Sequence, residues 1–328
     1  MEVLVIPFAN LTTALDATHL IYAFPKGTWV ENSATRHDGS ILTTLVTKPD
    51  IYMFGRRALR PEPFLVHSFS SLRLTSVTGI TESSPDTFQV IVANTSLATL
   101  TAAPGPNHIY SVTFPPGCIY EQGTAVTTEA KLTASLPDAG LLNGLTTLNN
   151  YTILAADSRK GVVYAINTIT GAYHIAISDP LLVGNSPTGQ VATGSGVNGI
   201  KIRGCYLYFT NTAGSLFAKV EIDLIGGTAK GAATVVARLA IGLGFAVFNL
   251  DSQGNAYMAI RSGDEISLIS ARNGKQRIIA GMVNGTELVQ PTSISFGKGL
   301  GEEEWAYVTT GGGSTGGGSL IGIDIRQH

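Results

Sequence analysis

The sequence predicts an all-β chain: a six-bladed β-propeller of four-stranded antiparallel blades, its last blade closed by an N-terminal strand. Three observations carry the prediction. A strand-turn-strand plan recurs six times. Glycine (38) and proline (14) are scattered through 328 residues, which marks many turns and few long helices. A strand at the start of the chain lacks a partner, and the last repeat lacks an outer strand.

The plan is clearest from Val197 to Asp223, VNGIKIRGCYLYFTNTAGSLFAKVEID. An Asn-Gly step opens a short apolar strand, Arg203-Gly204 turns the chain, and YLYFTN and SLFAKVEID follow on either side of Gly214. Asn143 opens the same plan, with turns at Asn149-Asn150 and Lys160-Gly161.

Innermost strands begin at Glu31, Thr78, Asn143, Asn198, Ala246 and Thr292, spaced about 46 to 65 residues apart. Second strands follow as SILTTLV, TFQVIVAN, YTILAAD, YLYFTN, NAYMAI and WAYVTT, rich in residues that suit a pleated surface. Third strands are DIYMFG, HIYSVTF, GVVYAINT, SLFAKVEID, EISLIS and SLIGIDI. Fourth strands come after five units, as PFLVHSF, EAKLTASL, AYHIAI, TVVARL and QRIIAG. After SLIGIDI the sequence runs out at Arg326-Gln327-His328, and HLIYAFP (residues 19–25) is left over to complete the sixth blade. Pairing the two closes the ring over residues 1–328 as one domain and leaves no long sheet edge.

The insertion from Ser178 to Gly196 joins a fourth strand to the next innermost strand, on the face where all innermost strands start. It is either a cover for the channel mouth or a solvated excursion. The Gly-rich run from Gly311 to Leu320 has no lysine and no following helix, so it reads as a flexible blade-six connection and not as a phosphate loop.

Composition narrows the partners. Charged residues are 13% and the net charge is -2, against a nucleic-acid partner. No apolar run approaches the roughly 20 residues of a spanning helix. The start, MEVLVIPFANL, is short and without a basic leader, so it is not read as an intact signal peptide. Four sequons, at Asn10, Asn94, Asn150 and Asn284, favour a secreted glycoprotein. Cys118 and Cys205 match no zinc or redox spacing; they either form one disulfide or stay unpaired, and their places on non-adjacent blades favour the second.

The nucleophile elbow, HExxH, P-loop and dinucleotide motifs are all absent, and the six histidines are dispersed. What remains is the ring of innermost-strand starts. Each blade delivers one such position to the channel mouth, so Glu31, Thr78, Asn143, Asn198, Ala246 and Thr292 should converge. Asn-Gly is also a common turn dipeptide. Recurrence at equivalent positions favours a site.

The LNG and VNG strand starts, the DSQGNAYMA strand-turn-strand and the blade count resemble the gluconolactonase, regucalcin and strictosidine-synthase superfamily. That resemblance implies a divalent cation held in the channel by a Glu, two Asn and an Asp. By position Glu31 matches the Glu, and Asn143 and Asn198 the asparagines. Ala246 stands where the Asp is expected. One carboxylate with two amide oxygens is a poor Ca²⁺ cage, so no metal and no cofactor is expected. A Ca²⁺-dependent lactonase is one alternative and a non-catalytic binding propeller another.

WVENSATR, LNGLTTL with AADSRKGVVYAI, VNGIKIRGCYLYFTN, and PTSISFG with YVTTGGG resemble fungal secondary-metabolite propellers, among them hetero-Diels-Alderases of tropolone sesquiterpenoid assembly. The resemblance implies small-molecule partners: a tropolone ortho-quinone methide and a humulene-type alkene. Such a cycloaddition needs orientation and hydrogen-bond donors at the oxadiene carbonyl, and no nucleophile. Asn143, Asn198, Thr78, Thr292 and Arg73 are the expected donors. Glu31, Lys201 and the aromatic residues Trp29, Phe69, Phe245 and Phe248 are the expected substrate contacts, although such aromatics often pack between blades, as the Lys201 stem also would.

Overall fold

The computed structural model describes residues 18–55, 62–96, 101–102, 107–121, 126–184, 195–240, 243–282, 284–299 and 301–327. They build six four-stranded antiparallel sheets in the expected strand order. Blade one contains Val30–Thr35, Ile41–Leu45, Asp50–Phe54 and Phe64–Ser68; blade two Ser76–Ser84, Thr87–Ala93, Asn107–Thr113 and Glu129–Leu136. Blade three contains Leu142–Asn149, Thr152–Asp157, Val162–Asn167 and Tyr173–Ser178; blade four Val197–Arg203, Tyr206–Asn211, Leu216–Glu221 and Thr234–Arg238. Blade five contains Phe245–Leu250, Ala256–Ile260, Glu265–Ile269 and Gln276–Gly281. In blade six, Pro291–Phe296, Trp305–Thr310 and Ser319–Asp324 are joined by Thr18–Ala23, which pairs antiparallel with the last of them. Each innermost strand touches the next and the sixth touches the first, so the ring closes.

Buried aliphatic and aromatic side chains fill the spaces between blades, as alternation on a half-buried strand dictates. Hydroxyls at second strands stitch each blade to the inner strand of the next: Thr44 donates to the Thr78 carbonyl at 2.6 Å, Ser158 to Val197 at 2.6 Å and Thr210 to Ala246 at 2.8 Å. Blades one and two are also clamped by Arg36, fully buried, which bonds Asp38, Asp86 and the Cys118 carbonyl and lies 4.2 Å from the Phe114 ring centre. Among the described residues the helical pieces are three-residue 3₁₀ turns.

The innermost strands share one irregularity. Their pairing register slips between Val30 and Asn32, Val77 and Ile80, Leu142 and Leu145, Val197 and Ile200, Phe245 and Phe248, and Pro291 and Ser293. The bracketed residues are Glu31, Thr78-Gly79, Asn143-Gly144, Asn198-Gly199, Ala246-Val247 and Thr292. The Asn-Gly steps are therefore bulges inside strands, not turns, and a bulge re-aims the side chain it carries. The glycines serve the ring packing: a Cβ on Gly79 would lie 2.1 Å from the Asn143 carbonyl oxygen, and one on Gly144 2.2 Å from that of Asn198.

Two features differ from the sequence reading. Thr95–Ser96 and Thr101–Ala102 form an extra two-stranded hairpin inside blade two. The Gly-rich run after Thr310 is a tight seam and not a loose connection: Cβ atoms at Gly317 and Gly318 would lie 2.1 and 2.2 Å from backbone oxygens, and Gly318 bonds both Phe24 and Thr28. In the insertion before blade four, Asp179 caps the 3₁₀ turn Pro180–Leu182, and residues 185–194 lie outside the described residues. The sequon Asn10 lies outside them too. Cys118 and Cys205 are both free thiols.

Candidate functional site

The six bulged residues meet at one cavity of about 60 Å³, lined by Glu31, Thr78, Asn143, Asn198, Ala246 and Thr292 together with Trp29. A second ring adds to it. Inner strands start at the mouth and second strands return there, so Val46, Thr95, Ser158, Thr212 and Arg261, each just past the end of a second strand, also line the cavity. The equivalent position in blade six is Gly311, where a Cβ would lie 2.8 Å from the Trp29 ring; the missing side chain seats that indole.

The polar groups are held in defined orientations. Trp29 donates its indole N–H to Glu31 Oε2 at 2.6 Å, and the Asn143 amide nitrogen donates to Glu31 Oε1 at 3.1 Å. A carboxylate accepts, so the Asn143 NH₂ faces Glu31 and its oxygen faces elsewhere. Asn198 donates to Thr212 Oγ1 at 3.1 Å, while Thr212 spends its proton on the Phe245 carbonyl at 2.8 Å. The Asn143 and Asn198 side-chain oxygens are both buried without a protein partner. The asparagines thus present acceptors, reversing the donor role expected of them. Burial pushes the Glu31 carboxyl above its usual range, against the pull of Trp29, the Arg261 charge and Asn143.

The other expected residues divide. Thr78 and Thr292 reach the cavity, yet their hydroxyls bond the Leu142 carbonyl at 3.1 Å and the Val30 carbonyl at 2.7 Å, joining blades instead of facing a ligand. Phe69 is buried between blades one and two, its ring centre 4.9 Å from that of Tyr110. Phe245 and Phe248 are fully buried in the core of blades four and five. These three phenylalanines do not reach the cavity, because a strand side chain beside a bulge still packs between blades. Arg73 is exposed with left-handed backbone (φ 58°) after the turn Ser70–Leu72, away from the cavity lining. Lys201 sits three residues further from the mouth than Asn198; burial and the Lys298 charge push its ammonium down to about 8. Arg261, Thr212 and Ser158 went unread, although the same repeat logic applied to second-strand ends would have found them.

Could the ring hold the divalent ion of metal-dependent propellers? The donors are one carboxylate, already taking two hydrogen bonds, and two amide oxygens. Calcium takes six to eight oxygens. Ala246 adds none, and the Arg261 guanidinium shares the cavity. Among the described residues no group of three or more His, Cys, Asp or Glu side chains could hold a metal. The donor set does not fit the ion.

A larger cavity, about 620 Å³, opens on the opposite face at the seam of blades six and one, lined by Ile21, Ile41, Trp305 and Tyr307 among others. Size favours it. Convergence of six repeat-equivalent positions and two orphaned acceptors favours the channel.

No family model matches the chain. A protein of Phoma sp., provisionally named a hetero-Diels-Alderase, is 27% identical over 247 residues, covering 69% of this chain and 67% of that protein. Another so named, from Sarocladium schorii, is 24% identical over 319 residues, covering 89% and 77%. Among solved structures, a luciferin-regenerating enzyme superposes with TM-score 0.63 at 12% identity, covering 93% of this chain and 94% of its own. A calcium-binding regucalcin from Agrobacterium tumefaciens superposes with TM-score 0.57 at 14% identity, covering 94% and 92%. No helix among the described residues is long and apolar enough to cross a membrane. The chain is a six-bladed β-propeller of regucalcin-like fold, similar in sequence to proteins named as hetero-Diels-Alderases.

Proposed function

We propose that the chain is a pericyclase that joins a tropolone ortho-quinone methide to a humulene-type sesquiterpene alkene by an intermolecular hetero-Diels-Alder reaction at the channel mouth. The observation that supports this most is the convergence of the bulged residues on one cavity, in a chain similar over most of its length to proteins bearing that name.

The reaction forms one carbon–carbon bond from the methide carbon and one carbon–oxygen bond from the ring carbonyl, both to the alkene. Three π bonds become one and no atom leaves. Catalysis therefore rests on orientation, which lowers a bimolecular barrier by roughly 7 to 11 kcal/mol in the best cases. Charge stabilisation at the carbonyl oxygen adds to it. The described cavity has room for the oxygenated edge of the polar partner. The Asn143 and Asn198 oxygens would accept from its hydroxyl, while Val46, Leu141 and Trp29 line the cavity with apolar surface. Glu31, locked by two donors, holds Trp29 and Asn143 in place.

The test is the rate of adduct formation from the two partners. The proposal predicts acceleration over the uncatalysed reaction and one stereoisomer in excess; the uncatalysed rate with a racemic adduct would reject it. The lactonase alternative has the regucalcin likeness behind it, which shows the fold alone, and the donor set opposes it.

A further inference from the structure

We propose that Arg261 is the resident cation of the channel, and that its guanidinium binds the charge-accepting oxygen of a ring carrying adjacent oxygens. This rests on the reading of the channel as the ligand site.

Arg261 is positioned by backbone. It follows the strand Ala256–Ile260, opens the 3₁₀ turn Arg261–Gly263, and its N–H bonds the Gly244 carbonyl at 3.1 Å. Its guanidinium carbon lies 4.7 Å from the Trp29 ring centre, a cation–π geometry that fixes the plane of the fork. Trp29 is in turn fixed below by Gly311 and at its edge by Glu31.

The guanidinium makes no side-chain hydrogen bond or ion pair with another described residue. Its donors are thus available in a cavity where the Asn143 and Asn198 oxygens stand as buried acceptors without a protein partner. Structural arginines look different in this chain: Arg36 spends its fork on Asp38, Asp86 and a carbonyl. Arg261 is half-buried and its charge helps to hold the Glu31 carboxyl down, yet no ion pair within 4.0 Å joins the two, so a ligand oxygen need not displace a carboxylate.

Free donors and free acceptors in one cavity suit a ligand with a carbonyl-type oxygen beside a hydroxyl. The hydroxyl donates to the asparagine oxygens, and the neighbouring oxygen takes the guanidinium. In a cycloaddition of such a ring, this oxygen is the one that gathers negative charge.

Tropolone itself is the probe: it carries the ring and both oxygens and cannot undergo the addition. Titration follows Trp29 fluorescence in a Trp305→Phe background, which removes the other tryptophan. Tropolone is expected to quench Trp29, and Arg261→Ala to weaken binding roughly 10- to 100-fold, the range for a charged hydrogen bond. Arg261→Lys, which keeps the charge and loses the fork, should fall between; it decides alone if the alanine variant does not fold. Binding unchanged in both variants, or tropolone displaced by stoichiometric Ca²⁺, would overturn the inference. Arg261-dependent tropolone binding without turnover of the partner pair would leave it standing and remove the cycloaddition.

Discussion

Replacing Gly144 by alanine probes the bulge that aims the site. The added Cβ would sit 2.2 Å from the Asn198 carbonyl oxygen and 3.1 Å from the Ile200 nitrogen, both backbone atoms of the next blade. Relief needs the two inner strands to part by about an ångström, since ordinary van der Waals contact of a Cβ begins near 3.4 Å. Overpacking of this kind costs about 1–3 kcal/mol. The strand that moves carries Asn198, so ligand affinity should fall as well. A chain of this length loses roughly 1.5 °C of melting temperature per kcal/mol, so thermal denaturation should show a drop of about 2–5 °C. Gly231 is the control: a Cβ there meets nothing within 4 Å, and Gly231→Ala should be neutral or slightly stabilising. If Gly144→Ala melted with the wild type and bound tropolone equally well, the close approach of inner strands would not be what sets the cavity.

Arg36→Met leaves Asp38 and Asp86 without their buried partner and should cost about 3–5 kcal/mol, read as a shift in the urea midpoint; a change under 1 kcal/mol would contradict the clamp. Lys201 gives a pH signature. Its folded value, about 8, lies below its ordinary 10.5, so between these the unfolded chain binds more protons and stability rises with pH. Lys201→Met should therefore stabilise at pH 7 by about 1–3 kcal/mol and progressively less toward pH 10; an equal gain at both would refute the burial cost. The double variant Ala246→Asp, Arg261→Ala supplies a second carboxylate and removes the resident cation. Calorimetry should detect Ca²⁺ binding by it and not by the parent; no heat from the double variant would mean that the Asn143 and Asn198 oxygens do not converge.

The blades were legible because each repeat spells its own strands and turns, and because the orphan strand HLIYAFP has a single place to go. The ring of Glu31, Thr78, Asn143, Asn198, Ala246 and Thr292 was legible for the same reason, since equivalent repeat positions converge in a closed ring. Side-chain roles were less so. Phe245 and Phe248 flank Ala246-Val247, and sequence alone does not say that only the bulged residue turns to the channel. The asparagines read as donors from sequence because their partners, Glu31 on another blade and Thr212 past the end of a second strand, are distant in sequence. The run after Thr310 looked loose by composition, whereas its glycines admit the N-terminal segment and the Trp29 ring at distances no side chain allows. Arg261 is not legible from the strand starts, because it stands where a second strand, Ala256–Ile260, ends.

A crystal structure of the protein with tropolone bound tests the central claim most directly. The account predicts the ring in the channel, one oxygen within hydrogen-bonding distance of the Arg261 guanidinium and the other facing the Asn143 and Asn198 oxygens. Tropolone found instead in the larger cavity beside Trp305 and Tyr307, with Arg261 turned away, would contradict it.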